Sequence, residues 1–171
     1  MDGYLLDTCV VSALLDGYHK NYQNVRLSDE AIETGAPRFV SRITIAELEF
    51  GFRLHEAATG IPYPRAKEIL KRVQEYGIRE ISKHTPIEYA ELRKNLALTH
   101  LPDLINNNRP RWIDNWIDRA TGEKLQIDEN DLWICAQARE NNLVLFTTDE
   151  KMITRISKAD PSIRFRFVRS I

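Results

Sequence analysis

The sequence predicts an α/β protein with a central, mostly parallel sheet and helices on both of its faces. Short apolar runs alternate with longer segments of helical periodicity along the 171 residues, as is typical of strand–helix–strand units. The run 143–146 is apolar at every position, which favours a strand that is covered on both faces. Because 43% of the residues are hydrophobic, the chain can bury a full core, and we expect a single domain over residues 1–171.

The elements follow from these periodicities in chain order. The apolar run that ends at Asp7 predicts a first strand, and the apolar segment Cys9–Leu15 predicts a buried helix after it. The expected strands are 3–7, 38–41, 78–82, 143–147 and 163–168. The expected helices are 8–17, 24–34, 43–58, 63–76, 86–100, 130–141 and 150–158. Helix 63–76 carries the charged face of "RAKEILKR", and strand 163–168 has the alternating arginines that suit the edge of a sheet.

The stretch 101–127 departs from this regular alternation. It contains three consecutive asparagines, two prolines and two tryptophans, and we interpret it as an excursion within the domain because its apolar side chains need burial. Two interpretations stay open here. The spacing of Trp112, Asn115, Trp116 and Arg119 is helical, which predicts a packed helix face, whereas its mixture of arginine and tryptophan also suits contact with a ligand.

Composition narrows the classes of function. The 24 basic and 25 acidic residues give a net charge of −1, which argues against uniform coating by nucleic acid but permits a local basic rim beside an acidic pocket. No apolar run approaches the roughly 20 residues that a membrane span requires, and the N-terminus lacks the basic start of a signal peptide. Both cysteines, Cys9 and Cys135, lie in apolar helical patterns, so we expect reduced thiols, a cytoplasmic location and no membrane contact.

Four acids follow predicted strands or open predicted helices. Asp7 and Asp149 come directly after strands, while Glu47 and Asp131 lie in the first turns of helices and begin apolar stripes at helical spacing. Ligands of open parallel sheets bind at the carboxyl ends of the strands, so all four carboxylates are expected at one edge. Buried carboxylates stay ionised only with a compensating partner, and an all-oxygen site suits a hard divalent ion such as Mg²⁺ or Mn²⁺.

Each acid also has a structural interpretation that the sequence leaves open. Asp7 and Asp149 are suited to cap a helix, and Glu47 is spaced to form a capping box with Thr44 in "TIAE". Asp131 fits the first turn of a helix capped by Asp128. The functional interpretation gains from the nearby hydroxyls that can orient the acids, which are those of Thr8, Ser41 and Thr148.

The segments "YLLDTCVVSALL", "SRITIAELEFG" and "ENDLWICAQARENNLVLFTTDEKM" resemble the successive acidic motifs of PIN-domain nucleases, and of VapC-like toxins of type II toxin–antitoxin systems in particular. The resemblance covers nearly the whole chain with the order of the acids intact. It implies a three-layer α/β/α sandwich in which Asp7, Glu47, Asp131 and Asp149 are the catalytic, metal-coordinating residues. It also implies that Thr148 is the hydroxyl partner of the last acid and that Thr8 supports the first.

The same resemblance implies hydrolysis of RNA phosphodiester bonds by an endoribonuclease, a homodimer and a small antitoxin partner. Clustered carboxylates suit this chemistry, since a bound divalent ion lowers the pKa of a water and polarises the phosphate. The chain departs from compact family members near 59–64 and 101–120, so substrate choice and partner contacts are the properties that the resemblance predicts least.

The basic residues supply candidates for RNA binding. Arg109, Arg111 and Trp112 in "RPRW" combine charge with an aromatic face, which suits single-stranded bases. The basic residues of "RAKEILKR" and "RFRFVRS" are weaker candidates, because a solvated helix face and a charged edge strand explain them. The four histidines lack the spacing of metal ligands.

Other acidic α/β proteins fit the motifs less well. A haloacid-dehalogenase-type phosphatase requires a second aspartate two residues after the first, where this chain has Cys9, and a response-regulator receiver requires adjacent early acids. The remaining alternative is a non-catalytic PIN-like module that binds RNA or protein. Retention of all four acids favours the enzyme.

Overall fold

The computed structural model describes residues 1–101 and 110–170 of the chain. The strands are β1 (Tyr4–Leu6), β2 (Arg38–Ser41), β3 (Gly77–Arg79), β4 (Val144–Thr147) and β5 (Arg164–Phe167). The helices are α1 (Thr8–Leu15), α2 (Tyr22–Glu30), α3 (Arg42–Thr59), α4 (Ala66–Val73), α5 (Thr85–His100), α6 (Glu129–Glu140) and α7 (Glu150–Ala159). None of the described helices is both long enough and apolar enough to cross a membrane.

The five strands form one parallel sheet in the order β3-β2-β1-β4-β5. Leu6 of the central strand lies beside Val40 on one side and Phe146 on the other. The chain leaves β1 toward β2 and later returns to β4 on the opposite side of β1. The carboxyl end of β1 is therefore the point where strand order reverses, and crevices at such points bind ligands in open α/β sheets.

Alternate side chains of the strands enter two separate cores. Leu6, Val40 and Phe146 pack with apolar residues of α1, α2, α3 and α4 on one face. Leu5 and Leu145 pack with residues of α5, α6 and α7 on the other. Helices thus cover both faces of the sheet, and the predicted three-layer α/β/α sandwich is confirmed.

Several predicted boundaries differ from the structure. Helix α4 begins at Ala66 and ends at Val73, rather than spanning 63–76, because Arg65 before it has a left-handed backbone with a φ of 66° and L-residues do not propagate a helix from that conformation. Helix α2 ends at Glu30 instead of 34, and β3 is limited to three residues. Strand β2 has the predicted bounds, and the ends of the remaining elements differ by at most two residues.

The packed helix that one of the two interpretations predicted at Trp112–Arg119 does not form, so that interpretation is wrong. Only a single 3₁₀ turn forms, over Ile113–Asn115, and Ile117 then pairs with Lys124 in an isolated antiparallel bridge. The two tryptophans have different environments. Trp116 is 2% exposed and donates its indole N–H to the Pro110 carbonyl at 2.9 Å, whereas Trp112 is 52% exposed.

A buried polar cluster attaches this irregular segment to the helices. Asp118 accepts a hydrogen bond from Arg155 of α7 and lies 3.4 Å from the ring of His100 at the end of α5. Asp118 and His100 are both almost completely buried. Since a buried carboxylate requires partners of this kind, the cluster fixes the position of the segment after the 3₁₀ turn.

Candidate active site

Asp7 lies at the carboxyl end of β1 and is buried with 6% of its surface exposed. It caps α1, since its Oδ1 accepts a hydrogen bond from the Thr8 backbone N–H at 2.7 Å. Its Oδ2 accepts from the Thr147 hydroxyl at 2.7 Å and from the Cys9 thiol at 3.1 Å. Burial raises the pKa of Asp7, the three hydrogen bonds oppose that rise, and the nearby charge of Asp149 adds to it.

Asp149 follows β4 and caps α7 by accepting from the Met152 N–H at 2.9 Å. The Thr147 hydroxyl connects it to Asp7, because this oxygen donates to Asp7 and accepts from the Asp149 backbone N–H at 3.1 Å. Thr147 therefore occupies the place that we expected for Thr148. The reason is register: Phe146 lies beside Leu6, so the next residues, Thr147 and Asp7, are neighbours across the strands.

Asp131 and Asp128 form a capping box at the start of α6, as one interpretation of the sequence predicts. The Asp131 N–H donates to Asp128 at 2.8 Å, and the Asp128 N–H donates back to Asp131 Oδ2 at 2.9 Å. Burial raises the pKa of Asp131 to about 8, and the charges of Asp128, Asp7 and Asp149 contribute to the increase. This carboxyl is therefore largely protonated at neutral pH when nothing compensates its charge.

Glu47 extends from the second turn of α3 toward α1 and α6. Its Oε2 accepts a hydrogen bond from the Thr8 hydroxyl, and its Oε1 accepts from the Asn130 amide at 2.9 Å. The alternative capping box of Thr44 and Glu47 does not form, because α3 begins earlier, with Ser41 as its cap. The Ser41 hydroxyl accepts a hydrogen bond from the Ile43 N–H at 2.9 Å.

The four predicted acids thus lie at one edge of the sheet, although they enter it from four different elements. In the described parts of the chain, none of them forms an ion pair with lysine, arginine or histidine. Their contacts are neutral hydroxyl, thiol, amide and backbone N–H donors. The result is an acidic pocket at the point where strand order reverses, without a paired cation among the described residues.

The donor set fits a hard divalent ion in its chemistry, because it consists of carboxylate and hydroxyl oxygens. Asp131 and Asp149 each use one oxygen as a helix cap, which leaves the second oxygen of each without a hydrogen bond within residues 1–101 and 110–170. Those same ranges contain no group of three His, Cys, Asp or Glu side chains that already converge to hold an ion. Ion binding would therefore require the acidic side chains to move closer together.

Comparison with known families identifies the fold. The model of the PIN domain family matches residues 4–159, which include the whole sheet edge up to α7. The chain belongs to the PIN domain family. Comparison with curated proteins gave no match.

Solved structures agree with this PIN assignment. A chain of VapBC-1 from nontypeable Haemophilus influenzae has a TM-score of 0.62 at 20% identity, covering 96% of each chain. VapBC2 from Rickettsia felis, bound to a promoter DNA fragment, gives 0.58 at 19% identity over 96% of this chain and 98% of that one. FitAcB from Neisseria gonorrhoeae gives 0.59 at 19% identity over 95% of both. At these identities the likeness concerns the fold.

Two residues of this PIN site were missed by the sequence analysis. Thr147 precedes the threonine that we selected, and only the strand register distinguishes the two. Asn130 lies directly before Asp131 in the sequence, yet its amide reaches Glu47, which is 83 residues away. A neutral amide at a helix start has no sequence signal beyond that of an ordinary first-turn residue.

Among the described residues, no basic candidate forms an ion pair with any of the four acids. Arg111 is exposed, and its guanidinium lies 4.9 Å from the centre of the exposed Trp112 ring. Arg109 falls outside the described residues. Cys9 and Cys135 are both free thiols, and burial raises the pKa of Cys9 to about 12, so Cys9 is not a thiolate nucleophile at neutral pH.

Proposed function

We propose that this PIN-domain protein is a metal-dependent endoribonuclease that hydrolyses RNA phosphodiester bonds. One observation supports the proposal: Asp7, Glu47, Asp131 and Asp149 all lie at the carboxyl edge of the sheet, and none of them is paired with a cationic side chain in the described residues. Burying such a cluster without a compensating cation lowers the stability of the folded protein. A bound divalent ion would offset that cost, which supports Mg²⁺ or Mn²⁺ as the cofactor.

In this proposal Asp7, Glu47, Asp131 and Asp149 would hold the ion, which when bound would activate a water and neutralise charge on the phosphate. The protein contributes positioning. Thr147 holds Asp7 through a 2.7 Å hydrogen bond, and Thr8 and Asn130 hold the two oxygens of Glu47. Asp131 must release its proton before it contributes a full negative charge, because its pKa is raised to about 8.

The supporting roles expected for Thr8, Ser41, Thr148 and Asp128 remain part of the proposal. Thr8 contacts Glu47, Ser41 caps α3 and Asp128 caps α6. Thr148 acts through its backbone, since its N–H donates to the Cys9 sulfur at 3.4 Å. Each of these contacts fixes the element that carries one of the acids.

The proposal includes the role of toxin in a toxin–antitoxin pair, with a small antitoxin, a homodimer, a cytoplasmic location and one domain with an excursion near 101–127. The structural neighbours from three species are named VapBC and FitAcB, and a further VapBC neighbour is described as a member of a family of toxin–antitoxin systems, which supports an antitoxin partner. Exposed apolar side chains on and after α3, at Phe50, Leu54 and Ile61, offer a surface for it. The free cysteines agree with a reducing compartment.

The decisive experiment measures RNA cleavage by the wild type with Mg²⁺, with Mn²⁺ and with EDTA, and by Asp7→Asn. Asparagine keeps the helix cap but removes the charge. We therefore expect a folded variant whose activity falls by at least about a hundredfold, which corresponds to about 2.7 kcal/mol of barrier.

Asp114→Asn is the matched control, because Asp114 is an exposed acid in the 3₁₀ turn and caps none of these helices. It should cleave RNA like the wild type. Full activity of Asp7→Asn at matched metal would exclude this acid from the reaction. A wild type that binds RNA but cleaves it under none of these conditions would favour the alternative, a non-catalytic PIN-like binding module.

A further inference from the structure

A basic trough lies next to the acidic site and has no role in the function proposed so far. It is a cavity of about 460 Å³ between one face of α5 and the segment after Pro110, a volume within the range of ligand sites in proteins. Its walls include the aromatic rings of Tyr89 and Trp116 and the cationic side chains of Arg93, Lys94 and Arg111. Trp116 is 2% exposed and forms the floor, so the aromatic surface open to a ligand is that of the half-buried Tyr89, beside the cationic side chains.

The three cations differ in how they are used within the protein. Arg93 is fully engaged, because it pairs with Glu129 at 3.0 Å and donates to the Arg111 carbonyl at 2.5 Å. Among residues 1–101 and 110–170, Lys94 pairs only with Glu91, and both of these side chains are about half exposed, so that pair is weak and exchangeable. Arg111 forms no ion pair in the parts of the chain that the structure describes. Lys94 and Arg111 thus have charge to offer a ligand.

The trough and the acidic site share the first turn of α6. Glu129 receives hydrogen bonds from Tyr89 and Arg93, which line the trough. The next two residues, Asn130 and Asp131, face the acids: Asn130 contacts Glu47, and Asp131 interacts with the charges of Asp7 and Asp149. The two sites are therefore adjacent, and the first turn of α6 separates them.

The side chains between the two sites are packed together. Tyr89 stacks on Trp133 of α6 with ring centres 4.3 Å apart and an angle of 16° between the planes. Arg93 additionally lies over the Tyr89 and Trp116 rings. A surface whose aromatic groups are already fixed loses little entropy when a ligand binds.

We infer that this trough binds the single-stranded RNA flanking the cleaved bond, with Lys94 and Arg111 contacting successive phosphates. The inference rests on the proposed ribonuclease function. Aromatic surface next to cationic side chains is the combination that binds single strands without sequence preference. The acidic site on its own repels the RNA backbone. The cationic side chains of the adjacent trough would attract the phosphates and offset this repulsion.

The test measures binding of a fluorescently labelled single-stranded RNA of about ten nucleotides by anisotropy, in EDTA and over a series of salt concentrations. The variant is Lys94→Ala/Arg111→Ala, which keeps the Arg111 carbonyl that Arg93 uses. Each phosphate contact to a single strand contributes about 0.7 to the slope of log K against log salt. We expect the slope to flatten by about 1.4 and the affinity at 0.1 M salt to fall by about 25-fold.

The matched control is Lys67→Ala/Lys71→Ala, which removes two exposed lysines from α4 on the opposite face of the sheet. This variant should keep the wild-type slope. An unchanged slope in Lys94→Ala/Arg111→Ala would overturn the inference. A change of its sedimentation coefficient with no change in slope would also overturn it and assign the surface to contact between copies of the chain.

Failure of the trough and failure of the proposed function have different results. Binding is measured without metal, and cleavage is measured separately with Mg²⁺ or Mn²⁺. If the wild type cleaves RNA while both double variants bind it alike, only the trough assignment fails. If Lys94→Ala/Arg111→Ala flattens the slope of log K against log salt but the wild type never cleaves RNA, the trough assignment is supported and the ribonuclease proposal fails.

Discussion

At the scale of single residues, Asn130 and Thr8 hold the two oxygens of Glu47 from opposite sides. The donors come from α6 and from the start of α1, so Glu47 connects two elements that carry other acids. Neither donor is a cation, whereas a lysine or arginine in the same place would compensate the charge of a carboxylate. Asn130 is therefore a positioning residue in the proposed site.

Replacing Asn130 with aspartate tests this role. Asn130→Asp puts a second carboxylate, which cannot donate, against Glu47 Oε1. A hydrogen bond to a charged group contributes about 1.5–3 kcal/mol, so we expect kcat on RNA to fall by about ten- to a hundredfold with KM nearly unchanged. Asn115→Asp, an exposed substitution in the 3₁₀ turn, serves as the control. Equal loss of kcat in both variants would contradict a specific role of Asn130.

A second prediction at this scale concerns pH. The pKa of Asp131 is about 8 in the folded protein, above the ordinary aspartate value of 3.8. Between these two values the folded state holds more protons than the unfolded state, so the stability of the metal-free protein should fall as pH rises from about 4 to 8. Thermal melts in EDTA at several pH values measure this dependence.

Asp131→Asn removes the group and should flatten the dependence in part, with the remainder due to Asp7, whose pKa burial also raises. The affinity for Mg²⁺ or Mn²⁺, measured by calorimetry, should change in the opposite direction. It should increase toward pH 8, because the ion must displace the Asp131 proton. Metal affinity that is constant over this range would exclude Asp131 as a ligand.

At the scale of elements, three of the helices at this edge begin with an aspartate cap. Asp7 caps α1, Asp128 caps α6 and Asp149 caps α7. The structural and the functional interpretations of Asp7 and Asp149 are therefore compatible, since one carboxylate oxygen caps a helix while the charge remains at the edge. Parallel strands make this possible, because their carboxyl ends and the starts of the following helices coincide.

The double role predicts opposite effects of two substitutions at Asp149. Asp149→Asn keeps the cap to Met152 and relieves repulsion from Asp7 and Asp131, so the melting temperature in EDTA should rise. Asp149→Ala removes a cap that contributes about 1 kcal/mol, so the melting temperature of this variant should fall by roughly 2–4 °C. Cleavage should be lost in both. If asparagine destabilises the protein as much as alanine, repulsion among the acids is negligible.

At the scale of the whole molecule, the two helical layers present different surfaces. The layer with α5 carries the basic trough, and the layer with α3 exposes Phe50, Leu54 and Ile61. Phe52 and Tyr63 lie behind them as a stacked pair with ring centres 4.9 Å apart. Substrate and protein partner would therefore meet the molecule on opposite sides of the sheet under the proposed function.

This arrangement predicts that the apolar surface can be altered without loss of the nuclease. Phe50→Asp changes a side chain that is 66% exposed, so the fold should be retained while copurification with the product of a neighbouring antitoxin-like reading frame is lost. Ile87→Asp, on α5 and 63% exposed, is the matched control and should copurify normally. Retained copurification of Phe50→Asp would place the antitoxin elsewhere.

The sequence predicted the layers of the fold because local periodicity is enough to identify them. Apolar runs flanked by helical patterns indicated a parallel sheet, and Asp7 and Asp149 indicated its acidic edge. The boundaries of α4 and the packed helix at Trp112–Arg119 were predicted wrongly, because they depend on a left-handed residue at Arg65 and on a buried cluster around Asp118. Both arise from contacts that periodicity does not contain.

The sequence by itself determined which side chains form the acidic edge, since their types and their places after strands can be read along the chain. Only the tertiary structure decided what these side chains contact. Thr147 rather than Thr148 reaches Asp7 because strand register sets which residues are neighbours. Asn130 reaches Glu47, and the trough forms beside α6, because separate helices pack together in space. Local sequence specifies secondary structure and its chemistry, whereas contacts between distant segments depend on how complete elements pack.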